Sequence, residues 1–501
     1  VLVARSLRLA TKTPIMKNVL LRISLLFLII NTLCCSDLDN VNTNPNSPES
    51  VTPDLLLPQI IRDAMNALVL ETWNIGSLVI QHTAKSQNVN ADRYVWTERN
   101  VIWNAVYDNL RDVQNMVQQS DVNGWNNYKG VALVLRAWLF SLATDCYGDV
   151  PYSEAIRARE GYNFPKYDPQ DTIYQGILRD LKTANALLGS TKEKIAGDVL
   201  FNGEIQKWRR LANSLRIRYL MRIAKKVSMG DELNAMVNTP DSTPIMQSNA
   251  DNAVFNYRSA APDQFPIFQL NAGFFNEFRA SKGLLELQVE YKDQRVNLFF
   301  RPTPATEATN NPQYAGIPNG LADAEALAYN GGLEFQSKIG RYFYEDAVMP
   351  RGLSIAKGVL MTYSELQFLL AEAAERGYLV GDAAKFYREG IRASFEYYGL
   401  DATTYLNGGL AAYRGPQAEK LKSIGFQKWI ALYFQGLEAW FDWRRTGVPD
   451  LLPAESNQNN NKIPLRFPYP RIEQSLNAKN YQEAVQRQGA DDVNTKMWYL
   501  K

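Results

Sequence analysis

The stretch from Thr362 to Leu400, TYSELQFLLAEAAERGYLVGDAAKFYREGIRASFEYYGL, constrains the fold more than any other, because it reads as two helices and the turn between them. Thr362 and Glu365 stand at capping-box spacing, where the hydroxyl accepts from one orphan N–H of the helix start and the carboxylate reaches back to another. Leu366, Leu369, Leu370 and Ala373 recur at three- and four-residue intervals, and Gly377 offers the left-handed conformation that ends a helix. Asp382 is placed to cap a second helix, whose Ala383, Tyr387, Ile391 and Phe395 stack on one face. The two stripes are expected to face each other. Small residues at Ala371, Ala374 and Gly390 let the helices approach, and the pattern resembles a tetratricopeptide-type repeat. One such hairpin cannot bury its outer face alone, so further helices are required.

They are found at regular spacing. Pro53 opens a helix through Leu56, Ile60, Ala64 and Leu68; Trp103, Val106, Leu110 and Val113 mark a second, and Tyr128, Val131, Leu135 and Leu139 a third. Ile173, Ile177, Leu181 and Ala184 space a fourth, and Trp208, Leu211, Leu215 and Tyr219 a fifth. Arg209, Arg210, Arg216 and Arg218 fall mainly off that last stripe and read as a solvated or ion-paired face. Phe426, Ile430, Phe434 and Leu437 give a later helix, which EAWFDWRRTGVP closes at Pro449. The fold class is therefore all-α, about four helical hairpins of tetratricopeptide-like type with a loop-rich insertion of short strands and helices. The body is divided into helical repeats at 54–237 and 351–445, the insertion at 238–350 and a tail at 446–501. The insertion is rich in Pro, Asn, Gly and aromatics, with one weak helical segment near Leu284 to Tyr291. From Leu465 onward no helical period is visible, and the tail is expected to wrap over the helices.

The N-terminal region reads as targeting. Met16-Lys17, the apolar run through Ile30 and then NTLCCSD have the order of a signal peptide, with Met16 the expected start and the preceding residues upstream of it. The apolar run is too short to span a bilayer as a mature helix. Residues 1–35 are thus an upstream extension plus signal peptide, and 36–53 a polar, Pro/Asn-rich tether. Cleavage and acylation there would use Cys34 and Cys35 and leave Cys146 alone, so stability must come from packing rather than from an intrachain disulfide.

Charge and histidine usage exclude several functions. Lys+Arg 54 against Asp+Glu 52 gives no broad basic field for nucleic acid. His82 is the single histidine, which leaves little from which to build a histidine metal site or a catalytic triad. Asp145, Asp149 and Glu154 form the most enzyme-like carboxylate group, but an Asp/Gly-rich turn is more often an Asx-stabilised loop, so no catalytic residue, metal or cofactor is assigned. Trp440, Trp443, Arg444 and Arg445 are read as a cluster tying the last helix to its neighbours. Sugar rings stack on aromatic planes while their hydroxyls need amides and carboxylates. A ligand surface is therefore sought in Tyr94 and Trp96, beside Asn90, Asp92 and Arg93, and in Tyr314 with Asn319 in the PQYAGIPNG turn, with Trp96 the strongest candidate.

Several ordered blocks, among them NTNPNSPESVTPDLLLP, TDCYGDVPYSEA, KWRRLANSLRIRYLMRIA, YAGIPNGL, TYSELQFLLAEAAERG, QKWIALYFQGLEAWFDWRRTGVP and IPLRFPYP, together resemble the SusD/RagB outer-membrane lipoproteins. The resemblance implies acylation at Cys35, with Cys34 as the alternative, and anchoring in the outer membrane facing the exterior. The SDLD after it, Ser36 to Asp39, is similar to an acidic surface-export signal. It also implies a non-enzymatic capture protein that binds oligosaccharides, or in the RagB branch peptides, and works with a SusC-like TonB-dependent β-barrel transporter.

Overall fold

Gly76 and Gly436, far apart in sequence, set two segments of backbone directly against each other. In the computed structural model a Cβ on Gly76 would lie 2.6 Å from the Leu437 nitrogen, and one on Gly436 would lie 2.4 Å from the Gly76 carbonyl carbon. No side chain fits there. The structure describes residues 51–258, 260–267, 275–340 and 357–501. The chain divides into two units, 1–51 and 52–501, and the second contains the helical body. The expected acylation site at Cys34 and Cys35, and the insertion aromatics Phe268, Phe274, Tyr342 and Tyr344, lie outside the described residues.

The longer helices follow the apolar spacing. They are α1 (Pro53–Glu71), α2 (Val101–Asn123), α3 (Asn126–Tyr147), α4 (Gln170–Leu187) and α5 (Ile205–Arg222), with α6 (Gly230–Asn238) leading into the insertion. Within the insertion α7 (Lys282–Glu290) forms at the weak helical segment, accompanied by shorter turns. After it come α8 (Tyr363–Glu375), α9 (Ala383–Tyr397), α10 (Gln417–Ala431) and α11 (Gly436–Thr446). Neighbours in sequence pack on one another: α1 on α2, α2 on α3, α3 on α4, α4 on α5, and α8 on α9. Antiparallel two-stranded ladders stitch the loops. Thr83–Lys85 (β1) pairs with Phe278–Ala280 (β5), Val150–Pro151 (β2) with Tyr167–Asp168 (β3), and Ala253–Asn256 (β4) with Lys357–Met361 (β6).

The first hairpin read from the sequence is present, with two corrections. Thr362 Oγ1 accepts from the Glu365 N–H at 3.2 Å and Asp382 Oδ1 from the Lys385 N–H at 3.1 Å, while the first helix runs out at Gly377 with φ +76°. The Glu365 carboxylate does not complete the capping box, because it is taken by Arg218 of α5 at 2.5 Å and 2.7 Å. Nor do the two stripes face each other. Leu366, Leu369, Leu370 and Ala373 belong to the main core, while Phe368 and Ala371 meet Tyr387, Ile391 and Phe395 in a separate cluster. Helix α8 is buried on both sides because it lies between α9 and α5.

Two further expectations change. Arg216 and Arg218 are ion-paired, as one of the two alternatives has it, Arg216 with Glu232 and Arg218 with Glu365, but they lie in the interior rather than on an exposed face. The tail is not free of helix: Arg471–Leu476 (α12) and Ala478–Gln488 (α13) form in it, and α13 packs on β3.

The Gly76–Gly436 crossing leads to an expected outcome. Gly436→Ala should destabilise the full chain by about 3 kcal/mol, the cost of forcing an atom into close-packed backbone. Gly283→Ala, where a Cβ meets nothing within 4 Å, should be neutral or slightly stabilising. Denaturant titration of both variants checks this, and equal midpoints would show that the crossing relaxes freely.

Candidate functional site

Loops between helices leave backbone N–H and C=O groups that must find partners when buried. Here three loops meet and satisfy one another through a few polar side chains. The Asp92 carboxylate accepts from the Lys85 N–H (3.1 Å), the Gly320 N–H (3.0 Å) and the Asn319 side-chain amide (2.7 Å). The same amide donates to the Thr83 carbonyl at 2.8 Å, and Asn319 Oδ1 accepts from Ser281 Oγ at 2.7 Å. The Tyr94 hydroxyl accepts from the Ala454 N–H at 3.1 Å, and the backbone of Asn319 and Gly320 accepts from Glu455 and Ser456.

The structure thus brings Tyr94 and Asn319 into one junction, but not as an exposed surface. Tyr94 is 3% exposed and Asn319 6%. Both are internal fasteners whose polar atoms hold neighbouring loops, and neither faces a ligand. Trp96 is half-buried, edge-on to Trp440 and Phe467 at 5.5 Å each, with its indole N–H on the Ala91 carbonyl at 3.1 Å. Tyr314 sits apart, half-buried, donating to Asn297 Oδ1 at 2.9 Å.

The carboxylates of the TDCYGDVPYSEA turn do not converge. Asp145 accepts from the Tyr174 hydroxyl at 2.5 Å and lies 3.4 Å from Arg222; Asp149 is held by Arg487 at 2.6 Å and accepts from the first N–H of α4; Glu154 accepts from the Lys166 N–H at 2.9 Å. Burial raises the Asp145 and Asp149 carboxyls, and the arginines beside them oppose it. Among the described residues no group of three His, Cys, Asp or Glu could hold a metal ion. Arg444 stacks 4.2 Å from the Trp440 ring and donates to the Asp145 carbonyl at 2.7 Å, so that cluster ties α11 to α3.

A cleft that the sequence did not point to lies against the junction. It has a volume of about 690 Å³ and is formed by α7 and Tyr291, the 409–414 loop, α10 and the 448–452 loop. Its floor is apolar: Leu287, Leu410, Phe426, Trp429 and Leu451. Tyr291 stands at its edge, 41% exposed. The rim is polar, with Arg414, Glu419 and an ion pair between Lys422 and Asp450 at 3.6 Å. Gln81 links cleft and junction, since it lines the former, donates to the Leu452 carbonyl at 2.5 Å and hydrogen-bonds the Tyr94 hydroxyl. Beneath the floor His82 is fully buried against the Trp429 carbonyl at 2.9 Å, and burial pushes its pKa down to about 3. The insertion supplies one wall only. The other comes from segments assigned above to the helical body and the tail.

Paired helices carrying a loop-built cleft define a tetratricopeptide-like binding scaffold. The chain belongs to the SusD-like family, whose model, described as starch-binding associating with outer membrane, matches residues 45–470. A SusD homologue from Bacteroides fragilis is similar in structure with 27% identity and a TM-score of 0.78, over 90% of this chain and all of that one. A second from the same organism gives 27% identity and a TM-score of 0.76 over the same shares. A structure titled as a chitin-binding protein gives 28% identity and a TM-score of 0.76, over 89% of this chain and 99% of that one. Among curated proteins, none matches the sequence.

The junction has a pH signature. Burial pushes the Asp92 carboxyl up to about 6, although the hydrogen bonds from Gly320, Asn319 and Lys85 oppose the shift. A carboxyl whose folded pKa is raised holds its proton more tightly in the folded state, so its contribution to stability is full below pH 4 and falls as pH rises to about 6. The fall should amount to about 2–3 kcal/mol. Urea titrations across pH 4 to 7 should show it in the wild type and lose it in Asp92→Asn; parallel profiles would refute the assignment.

Proposed function

We propose that this protein is a cell-surface lipoprotein that captures nutrient oligomers, glycans above all, in the cleft beside Tyr291 and delivers them to a SusC-like TonB-dependent outer-membrane transporter. The observation that carries the reading is an open, preformed cleft with aromatic residues at its edge and floor, on a chain whose family model is described as starch-binding. Tyr291 and Phe426 offer ring surface to a sugar face, while Arg414, Glu419 and Asp450 on the rim offer partners for hydroxyls. Trp96 and Tyr314, which stay partly exposed but do not line this cleft, are retained as candidate ligand contacts outside it. The role requires capture without catalysis, and the dispersed, individually paired carboxylates described above suit it. Acylation at Cys35 would tether the body outside the outer membrane.

One observation favours a second reading, capture of peptides. Leu287, Leu410 and Leu451 make the floor more aliphatic than a sugar needs, and apolar side chains of an extended peptide would fill it.

Titration calorimetry of the full chain against maltooligosaccharides, chitooligosaccharides and oligopeptides, followed by chromatography of each mixture, separates these readings. Expected is heat of binding with the ligand recovered intact, weakened about tenfold, or ~1.4 kcal/mol, by Tyr291→Ala. Shortened products would overturn capture, and binding untouched by Tyr291→Ala would move the site elsewhere. The anchor is tested separately: Cys35→Ser should abolish incorporation of labelled palmitate and release the protein from the membrane fraction, whereas Cys34→Ser should do neither. The reverse pattern would transfer the acyl chain to Cys34.

A further inference from the structure

A second cleft, of about 340 Å³, opens between α2, α3, α4 and the 152–160 loop and shares no residue with the first. Three guanidinium groups reach it. Arg136 gives Nε and Nη2 to the two oxygens of Asp180 at 2.7 and 2.8 Å, and its Nη1 has no hydrogen-bond partner among the described residues. Arg157 is turned back on itself, with Nε and Nη2 on Glu160 Oε2 at 3.0 and 2.5 Å and Nη1 on the Ser153 carbonyl at 3.3 Å. Arg179 is exposed and makes one long hydrogen bond, 3.4 Å to the Tyr152 hydroxyl, with no carboxylate in ion-pair range among the described residues. Arg136 and Arg157 are each paired with a carboxylate, Asp180 and Glu160, and Arg179 is the cleft arginine with no ion pair among the described residues.

The surroundings hold this arrangement in place. Tyr152 stands edge-on to Phe140 at 4.6 Å, and its hydroxyl occupies the space where a Cβ on Gly176 would come within 1.9 Å. Any side chain at position 176 would displace that hydroxyl and Arg179 with it. Ile156 has φ +60°, a region costly for a β-branched residue, and so turns the chain where Arg157 folds back over Glu160 and the Tyr162 ring at 4.6 Å. With Arg157 and Glu160 paired to each other, the unpaired guanidinium is that of Arg179, which lines the same cleft as Arg136 with its unused Nη1.

We propose that this cleft binds an anionic group, a carboxylate or a sulfate carried on an oligosaccharide, through Arg179 with Arg136 Nη1 as second donor. A guanidinium presents paired N–H groups at the spacing of carboxylate and sulfate oxygens, and such charge-assisted bonds are about twice as strong as neutral ones. The oligosaccharide carrier rests on the capture reading above, whereas the anion contacts rest on residues that the first cleft does not share.

The test uses the full chain with two probes, trigalacturonate for the carboxylate and a sulfated carrageenan tetrasaccharide for the sulfate. Calorimetry should show binding of at least one, weakening as salt rises and falling about tenfold or more in Arg179→Gln. Arg179→Lys, which keeps the charge but loses the fork, should lie between the two. Because Arg179 is exposed, the melting temperatures of both variants should match the wild type. Binding of one probe only supports the site and names its group. Failure of both probes, or equal affinity in wild type and Arg179→Gln, would overturn it.

Discussion

The ion pair between Arg218 and Glu365 is the fixed point of this architecture. Both side chains are buried, the guanidinium meets the carboxylate at 2.5 and 2.7 Å, and its Nη2 also donates to the Leu360 carbonyl at 2.8 Å. Breaking such a pair by removing one partner costs far more than the pair contributes over an apolar replacement, so its value lies in registry rather than in raw stability. Here it sets α5 against α8, the helices on either side of the insertion. A second pair, Arg222 with Glu438 at 2.6 Å, carries the registry from α5 to α11. A third group continues it, with Arg445 on Glu372 at 2.5 Å and Asp442 shared by Lys428 and Arg445 at 2.8 Å each. Burial alone would raise the Asp442 carboxyl, yet Lys428 and Arg445 hold it well below the ordinary carboxylate range. Four helices, α5, α8, α10 and α11, are thereby locked by charges that tolerate little sliding. The loops that leave them start and end at fixed places.

That rigidity explains how long irregular segments can be buried. Without repeating secondary structure their backbone groups depend on side chains, and Asp92 and Asn319 serve several loops at once. Every acceptor of the Asp92 carboxylate and every donor of the Asn319 amide is directed inward. Gln81 joins the junction to the large cleft, since it lines the cleft and hydrogen-bonds the Tyr94 hydroxyl. Polar residues that resemble a ligand site in the sequence are therefore one layer behind it.

This layering also shows where sequence reasoning succeeds and stops. Helix positions were legible because apolar spacing and capping chemistry are local: Thr362, Asp382 and Gly377 do what their side chains and backbone preferences dictate. The tail helix α13 was missed although Tyr481, Ala484, Val485 and Gln488 keep helical spacing, because Pro468, Pro470 and Asn477 punctuate the stretch before it. The partner of Glu365 could not be read, since its local role as a cap and its distant role as an ion partner call for the same residue. Tyr94 and Asn319 stand out in the sequence as an aromatic and an amide in polar loops, and that composition serves loop burial as well as sugar binding. Tyr291, Phe426 and Leu451 meet only through the fold. No window of sequence contains them together.

The large cleft owes its readiness to hydrogen bonds that fix its lining residues from behind. The Trp429 indole N–H is fixed on the Ile80 carbonyl at 2.9 Å, and Gln81, in a left-handed conformation at φ +57°, pins the Leu452 carbonyl. His82 supports Trp429 from below and stays neutral at any pH well above 3, so the floor does not acquire charge in mild acid. A ligand entering such a site does not have to order the floor before binding, and that entropic cost is met in folding instead. What varies with the surroundings is the rim, where Lys422 and Asp450 are exposed enough for salt to screen their pairing. On the proposed readings, ligand binding in this cleft would draw on apolar contact with a fixed floor, whereas binding in the arginine cleft between α2, α3 and α4 would depend on charge.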